Sequence, residues 1–193
     1  MIDDELPPSA AWRHCDARDG FETVFASGHD GGRRLEGITA AVEDGVAWAV
    51  HYRIVVDARW HTRSAHVWCR AADGERSVTV GVDADSRWQV DGQPVPELDG
   101  CLDVDLEASA CTNTFPVHRL GLAVGAGVDA PAAYVRAPGL EVVRLDQRYE
   151  RLPDGSSGER YHYLCPAFDA DYVLDYDTAG LIVTYPGLAE RVG

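Results

Sequence analysis

The sequence predicts an all-β protein built on one antiparallel sheet, and three observations carry that prediction. Apolar and polar residues alternate at a period of two in run after run along the chain. Asp-Gly dipeptides stand between those runs, and Asp-Gly favours the positive backbone angles of tight hairpin turns. No amphipathic stretch of ten or more residues carries the helical period. A sheet of so many strands must curl or close to protect its edges, which leaves one face pointing inward.

The elements follow in order. The acidic N-terminus, MIDDELPPSA, lacks the basic-then-apolar pattern of a secretory signal. Residues 1–20 read as a loosely attached arm on a single domain spanning residues 1–193. Asp19-Gly20 and Asp44-Gly45 read as turns, and SGHDGGRR (27–34) as an exposed loop. Val50, Tyr52, Ile54 and Val56 share one face of a strand, with His51, Arg53 and Asp57 on the other. Val78, Val80 and Val82 alternate with Ser77, Thr79 and Gly81, between turns at Asp73-Gly74 and Asp91-Gly92. Asp99-Gly100 opens a strand in which Leu102, Val104 and Leu106 point inward, opposite Cys101, Asp103 and Asp105. Pro116 marks a bulge or edge at the start of a further strand, continued by Leu120, Leu122 and Val124. LPDGSSGER (152–160) reads as a loop. It precedes strands carrying Tyr172, Leu174 and Tyr176, then Leu181, Val183 and Tyr185. The closing GLAERVG has room for at most one helical turn.

Composition narrows the function. A chain of 193 residues that is 46% hydrophobic buries a core without disulfide staples. The net charge of −15 opposes binding to nucleic-acid backbones and to anionic membrane surfaces. Every strong cation is an arginine, so Schiff-base, pyridoxal-phosphate and lysine-dependent phosphate chemistry are excluded. No apolar run approaches the roughly 18 residues of a spanning helix. Five cysteines, none in a CxxC pair, predict free thiols and a cytoplasmic protein.

The segment ELDGCLDVDLEASACTNTFPVHRL (97–120) concentrates reactive residue types, yet no chemistry fits it well. Cys101 and Cys111 are too far apart for one zinc knuckle, and His118 lacks a second ligand at a matching spacing. A reactive cysteine needs an electropositive setting, which this acidic segment does not supply. GLAVGAGVDA (121–130) contains GxGxxA, but Pro131 and Pro138 follow where a dinucleotide fold needs a helix. The many carboxylates leave a glycosidase pair open without singling one out. No cofactor and no metal is called for. The aromatic set is more informative: Trp48, Tyr52, Trp60, Trp68 and Trp88 are interleaved with Arg53, Arg59 and Arg63. Aromatics on a curved sheet line an apolar pocket, and arginines fix the polar end of an amphiphile.

These residues also carry a resemblance. YRIVVDARWHTRSAHV (52–67) and RWQVDGQPVPELDGCLDVDLEASACTNTFPVHRL (87–120) resemble segments of the putative glycolipid-binding proteins, a bacterial family first catalogued as a domain of unknown function. YVRAPGLEVVRLDQRYERL and LIVTYPGLAERV resemble its C-terminal segments. The resemblance implies a single, highly curved antiparallel sheet with little helix, wound into a roll or incomplete barrel similar to bacterial lipoprotein and glycolipid carriers. It implies no catalytic residue.

Residues and resemblance together predict a cytoplasmic, non-catalytic binder of an amphiphilic small molecule such as a glycolipid, held in the concave interior. Trp48, Tyr52, Trp60 and Trp88 are the expected wall, and Arg59, Arg63 and Arg119 the expected headgroup contacts. The alternative is an enzyme acting on a small or glycosylated metabolite through carboxylates in the same cavity.

Overall fold

Long strands form where the alternation runs uninterrupted, and Asp-Gly pairs turn the chain between them. The computed structural model describes residues 5–192. Its first run is β1 (Ser9–His14), β2 (Asp19–His29), β3 (Gly32–Glu43), β4 (Val46–Val56), β5 (Thr62–Ala71), β6 (Gly74–Val82), β7 (Trp88–Val90) and β8 (Gln93–Pro94). A middle region follows: β9 (Asp103–Leu106), a 3-10 turn over Cys111–Asn113, α1 (Thr114–Leu120), β10 (Gly127–Asp129), β11 (Ala132–Val135) and β12 (Val142–Leu145). The chain ends on β13 (Arg148–Leu152), β14 (Arg160–Cys165), β15 (Ala170–Tyr176), β16 (Ile182–Tyr185) and β17 (Ala189–Val192).

Three of the hairpins turn on Asp30-Gly31, Asp44-Gly45 and Asp91-Gly92, with φ of 43° and 77°, 49° and 78°, and 49° and 77°. Positive φ at both central residues is the type I′ geometry that matches the twist of the flanking strands. The segment 27–34 is therefore a tight hairpin rather than a loop. Asp19-Gly20, expected as a turn, lies inside β2.

Fourteen strands form one sheet in the order β10-β13-β14-β15-β16-β17-β1-β2-β3-β4-β5-β6-β7-β8. The sheet curls into a roll and does not close, since β10 and β8 stand at its two edges. β1 joins the two halves, pairing antiparallel with β17 on one side and β2 on the other. Trp12 on β1 is fully buried, and its indole Nε1 donates to the Ile182 carbonyl at 2.8 Å. Within residues 1–20, expected as a loose arm, Ser9–His14 form β1 in the sheet, and the first four residues lie outside the described region.

On β4 the expected alternation holds: Val50, Tyr52, Ile54 and Val56 are buried, while His51 and Arg53 are exposed. Tyr52 needs a glycine opposite it. A Cβ on Gly37, its β3 partner, would lie 2.2 Å from the Tyr52 ring.

A second sheet, β12-β11-β9, occupies the interior, with β9 and β11 parallel. Every residue of β9 and β11 is buried. This corrects the reading of the segment 97–120. Leu102 is 41% exposed just before β9, whereas Asp103 and Asp105, expected on a solvated face, are buried. A strand covered on both faces has no wet side, so alternation cannot report its orientation. The strand expected through Leu120 and Val124 is the end of α1, capped by Gly121 at φ 50°, and the loop beyond it. GLAERVG likewise carries β17 rather than a helical turn. Residues 108–117 are buried without a break, so they form a plug through the middle of the roll.

Candidate functional site

The plug is latched to the sheet by one carboxylate. Glu22, fully buried on β2, accepts the Tyr52 hydroxyl at 2.5 Å and the Ser109 hydroxyl on Oε1. Its Oε2 accepts the amides of Ala110 at 2.8 Å and Cys111 at 3.4 Å. Burial nevertheless raises the Glu22 pKa against those hydrogen bonds. The Thr39 hydroxyl donates to the Ala108 carbonyl at 2.6 Å and adds a second tie.

Between the plug and the strands β14–β17 the interior is incompletely filled. A cleft of about 230 Å³ remains, reaching from the plug and β9 to the 186–188 turn. Its walls are aromatic. Tyr163 and Tyr185 meet edge to face at 5.9 Å, Tyr172 and Tyr185 at 6.2 Å, and Tyr134 lies 5.4 Å from Phe168. Its polar side is formed by Asp105 and Glu107 from the β9 segment, Asn113 from the plug, and Arg18 from the β1–β2 connection. Several of these groups are already held in place. The Thr112 hydroxyl donates to Asp105 at 2.7 Å, the Tyr149 hydroxyl to Asn113 Oδ1 at 2.8 Å, and the Ala137 amide to Glu107 at 2.8 Å. The Tyr163 hydroxyl donates to Gln147 at 2.9 Å. Phe168 and Tyr172, 50% and 36% exposed, border the same cleft and carry its aromatic wall out to solvent.

Asp105 is the chemically distinctive group. Burial pushes its carboxyl from 3.8 to about 6, against the pull of the Thr112 hydroxyl and with the help of nearby Asp103 and Glu107. A carboxyl whose pKa is raised on folding favours the native state while protonated, and loses that contribution as pH rises through the folded value. The expected result is about 3 kcal/mol of stability lost through Asp105 between pH 4 and pH 6. Chemical denaturation of Asp105→Asn beside the wild type measures it, because the difference between them must grow in the variant's favour over that interval. A constant difference would remove Asp105 as the source.

A larger space lies on the outward face of β2–β6. It is a groove of about 640 Å³ lined by Phe25, Ile38, Trp68, Arg53, Arg70 and neighbouring residues. Its charges are already paired, Arg53 with Glu36 at 2.6 Å and Arg70 with Glu75. It is an open furrow made by ordinary outward-pointing side chains, so its size does not make it the better site.

Of the sequence-predicted residues none lines the cleft, and Tyr52 borders the outward groove. Trp48 is buried with the Arg18 guanidinium 5.3 Å from its ring centre, and Tyr52 belongs to the Glu22 latch. Trp60, at φ 64°, stacks with His118 at 3.9 Å and carries Arg33 at 4.4 Å. Trp88 is buried and donates from Nε1 to the Cys101 carbonyl at 2.9 Å. Arg59 sits on the exposed turn organised by Asp57, which accepts its amide at 2.8 Å; Arg63 pairs with the same carboxylate at 2.7 Å. Arg119 grips Asp103 through two hydrogen bonds of 3.0 and 2.5 Å. The 57–63 stretch brings Arg59, Trp60 and Arg63 together, but none of the seven residues borders the interior cleft. Of the tyrosines that border it, Tyr172 and Tyr185 lie on strands the alternation identified, where the aromatic criterion would have found them, whereas Tyr134 and Tyr163 lie on β11 and β14, which it did not. Arg18 and Asp105 carried no such signal.

All five cysteines are free. Among the described residues, no helix is long and apolar enough to cross a membrane, and no three His, Cys, Asp or Glu side chains gather as metal ligands would.

The family model described as "Putative glycolipid-binding" matches residues 9–191. The crystal structure of a DUF1089 family protein from Pseudomonas aeruginosa is similar to this chain, with a TM-score of 0.73 and 31% sequence identity, covering 100% of this chain and 96% of that one. A comparison with curated proteins returns no match.

Proposed function

This chain belongs to the putative glycolipid-binding family, and on that premise we propose that it binds a sugar-bearing lipid without transforming it, with the headgroup in the interior cleft. One observation carries the reading: a small cleft with buried hydrogen-bonding groups on one side and an aromatic wall that runs out to solvent at Phe168 and Tyr172. Hydroxyls require donors and acceptors once desolvated, while ring faces give an apolar platform. At about 230 Å³ the cleft is smaller than the roughly 300–1,000 Å³ of pockets that enclose drug-sized ligands. It suits a headgroup, with the tail leaving past the exposed rings. Tail burial there contributes about 25 cal/mol per Å² before the costs of association. Of the three arginines expected at the headgroup, Arg59, Arg63 and Arg119, the last two have carboxylate partners within the protein. Five unpaired cysteines support a reducing, cytoplasmic setting.

Organic extraction of protein purified from its native host, followed by mass spectrometry, tests the reading. A reproducible sugar-bearing lipid is expected, and a clean extract counts against it. Phe168→Ala with Tyr172→Ala is expected to weaken binding of an octyl glycoside about tenfold by titration calorimetry, at an unchanged melting temperature. Unchanged affinity would move the tail away from this rim.

Asp105 favours a second reading, an enzyme acting on the same ligand class. A carboxyl near 6 has the character of a general acid, and Glu107 is a second carboxylate at the cleft. Hydrolysis of nitrophenyl glycosides that disappears in Asp105→Asn would establish it; no turnover leaves the binding reading.

A further inference from the structure

Arg18 is unlike the other deeply buried arginines. It is 6% exposed, and its Nε and Nη1 find no hydrogen-bond partner among the described residues. The Glu43 carboxylate stands 3.8 Å from Nε, within ion-pair range but beyond a hydrogen bond. The Trp48 ring at 5.3 Å supplies cation–π attraction but no lone pair. Arg119 and Arg151, also mostly buried, each hydrogen-bond a carboxylate, Asp103 and Glu159, at 3.0 Å. His14 adds nothing to neutralise Arg18: it is buried, both ring nitrogens lack partners, and burial with Arg18 beside it lowers its pKa to about 4. A desolvated guanidinium with open donors is costly; Arg18 borders the cleft, and because Nε and Nη1 are themselves sealed from solvent, an anion there engages them as the side chain turns toward the cleft.

We propose that Arg18 recognises an anionic substituent, a carboxylate or a phosphate, on the ligand of this cleft. The inference rests on the headgroup reading above and names the class of headgroup. A guanidinium presents donors in a planar fork that matches paired anionic oxygens. Asp105 and Glu107 enter the cleft from the β9 segment and repel an anion there, so the charged group belongs at the Arg18 side. The acidic side then accepts hydrogen bonds from sugar hydroxyls. Such a ligand is an acidic glycoside, negative at one end and hydroxylated at the other.

Three probes test this by titration calorimetry on the wild-type protein: octyl glucoside, octyl glucuronide and the 6-phosphate of octyl glucoside. One of the charged probes is expected to bind at least about tenfold more tightly than the neutral one. The stronger of the two identifies the group as carboxylate or phosphate. Arg18→Met is expected to abolish the preference, read as the ratio of charged-probe to glucoside affinity in the same variant, and to melt no lower than wild type without ligand. A smaller preference, or one that survives Arg18→Met, overturns the inference while glucoside binding keeps the glycolipid reading. Failure of all three probes to bind overturns both. Should Arg18→Met not fold, the wild-type ratio decides alone.

Discussion

Glu22→Ala is expected to bring the protein close to unfolding under conditions where the wild type is stable. The substitution removes the acceptor of four buried donors: the Tyr52 and Ser109 hydroxyls and the Ala110 and Cys111 amides. The two hydroxyls lie 3.2 Å apart and can still bond each other, so three donors are orphaned at about 1–3 kcal/mol each, and about 3 kcal/mol or more falls on a domain whose whole stability is on the order of 5–15 kcal/mol. The cavity left by the side chain adds to this. Glu22→Gln is expected to lose about 2 kcal/mol. It keeps one acceptor oxygen but turns amide hydrogens toward the Ala110 and Cys111 N–H groups. Its deficit should also narrow as pH rises, because the raised Glu22 pKa means that the wild-type carboxyl contributes less once it ionises. Urea denaturation of the three proteins between pH 4 and pH 8 measures both effects. A loss below 1 kcal/mol in Glu22→Ala would mean that the plug is held by packing alone.

Glu22 also shows how far the sequence could be read. It sits on a strand whose neighbours alternate as expected, with Val24 buried and Phe21 and Phe25 exposed, so its inward direction was accessible. What was not accessible is that the inside of the roll is protein. The plug at 108–117 and the β9–β11 pair bring their own buried surface into the interior, and period-two reasoning has no term for a strand covered on both faces. Leu102 and Asp103 exchange their expected environments for that reason. The expected wall residues Trp48, Tyr52, Trp60 and Trp88 are buried rings, and the protein itself takes up the Tyr52 hydroxyl, the Trp88 indole nitrogen and a face of Trp60. The cleft opens instead where the last strands pass the plug. Its polar groups come from segments more than eighty residues apart, Arg18 before β2 and Asp105 on β9. No local pattern could join them.

Arg119→Met is the second large effect, and its outcome separates a headgroup arginine from a structural one. Arg119 is 11% exposed and Asp103 1%, and they meet as a two-bonded pair inside the roll. Burial already raises the Asp103 pKa against the pull of Arg119. Removing the guanidinium leaves a carboxylate uncompensated in the interior, which costs about 3–5 kcal/mol. The deficit should shrink as pH falls, because protonation relieves the stranded charge; denaturation at pH 8 must therefore show a larger loss than at pH 5. Asp103→Leu with Arg119→Met is expected to return to within about 1 kcal/mol of wild type, since replacing both members of a buried pair with apolar groups is often neutral or better. The double-mutant cycle isolates the pair from packing effects at either site. A headgroup arginine would behave in the opposite way: the single variant would keep its stability and lose affinity for an octyl glycoside, and removing Asp103 as well would restore nothing. The expected loss of stability with pair rescue is what a guanidinium committed to Asp103 must give, and it leaves Arg18 as the arginine at the cleft with donors still to satisfy.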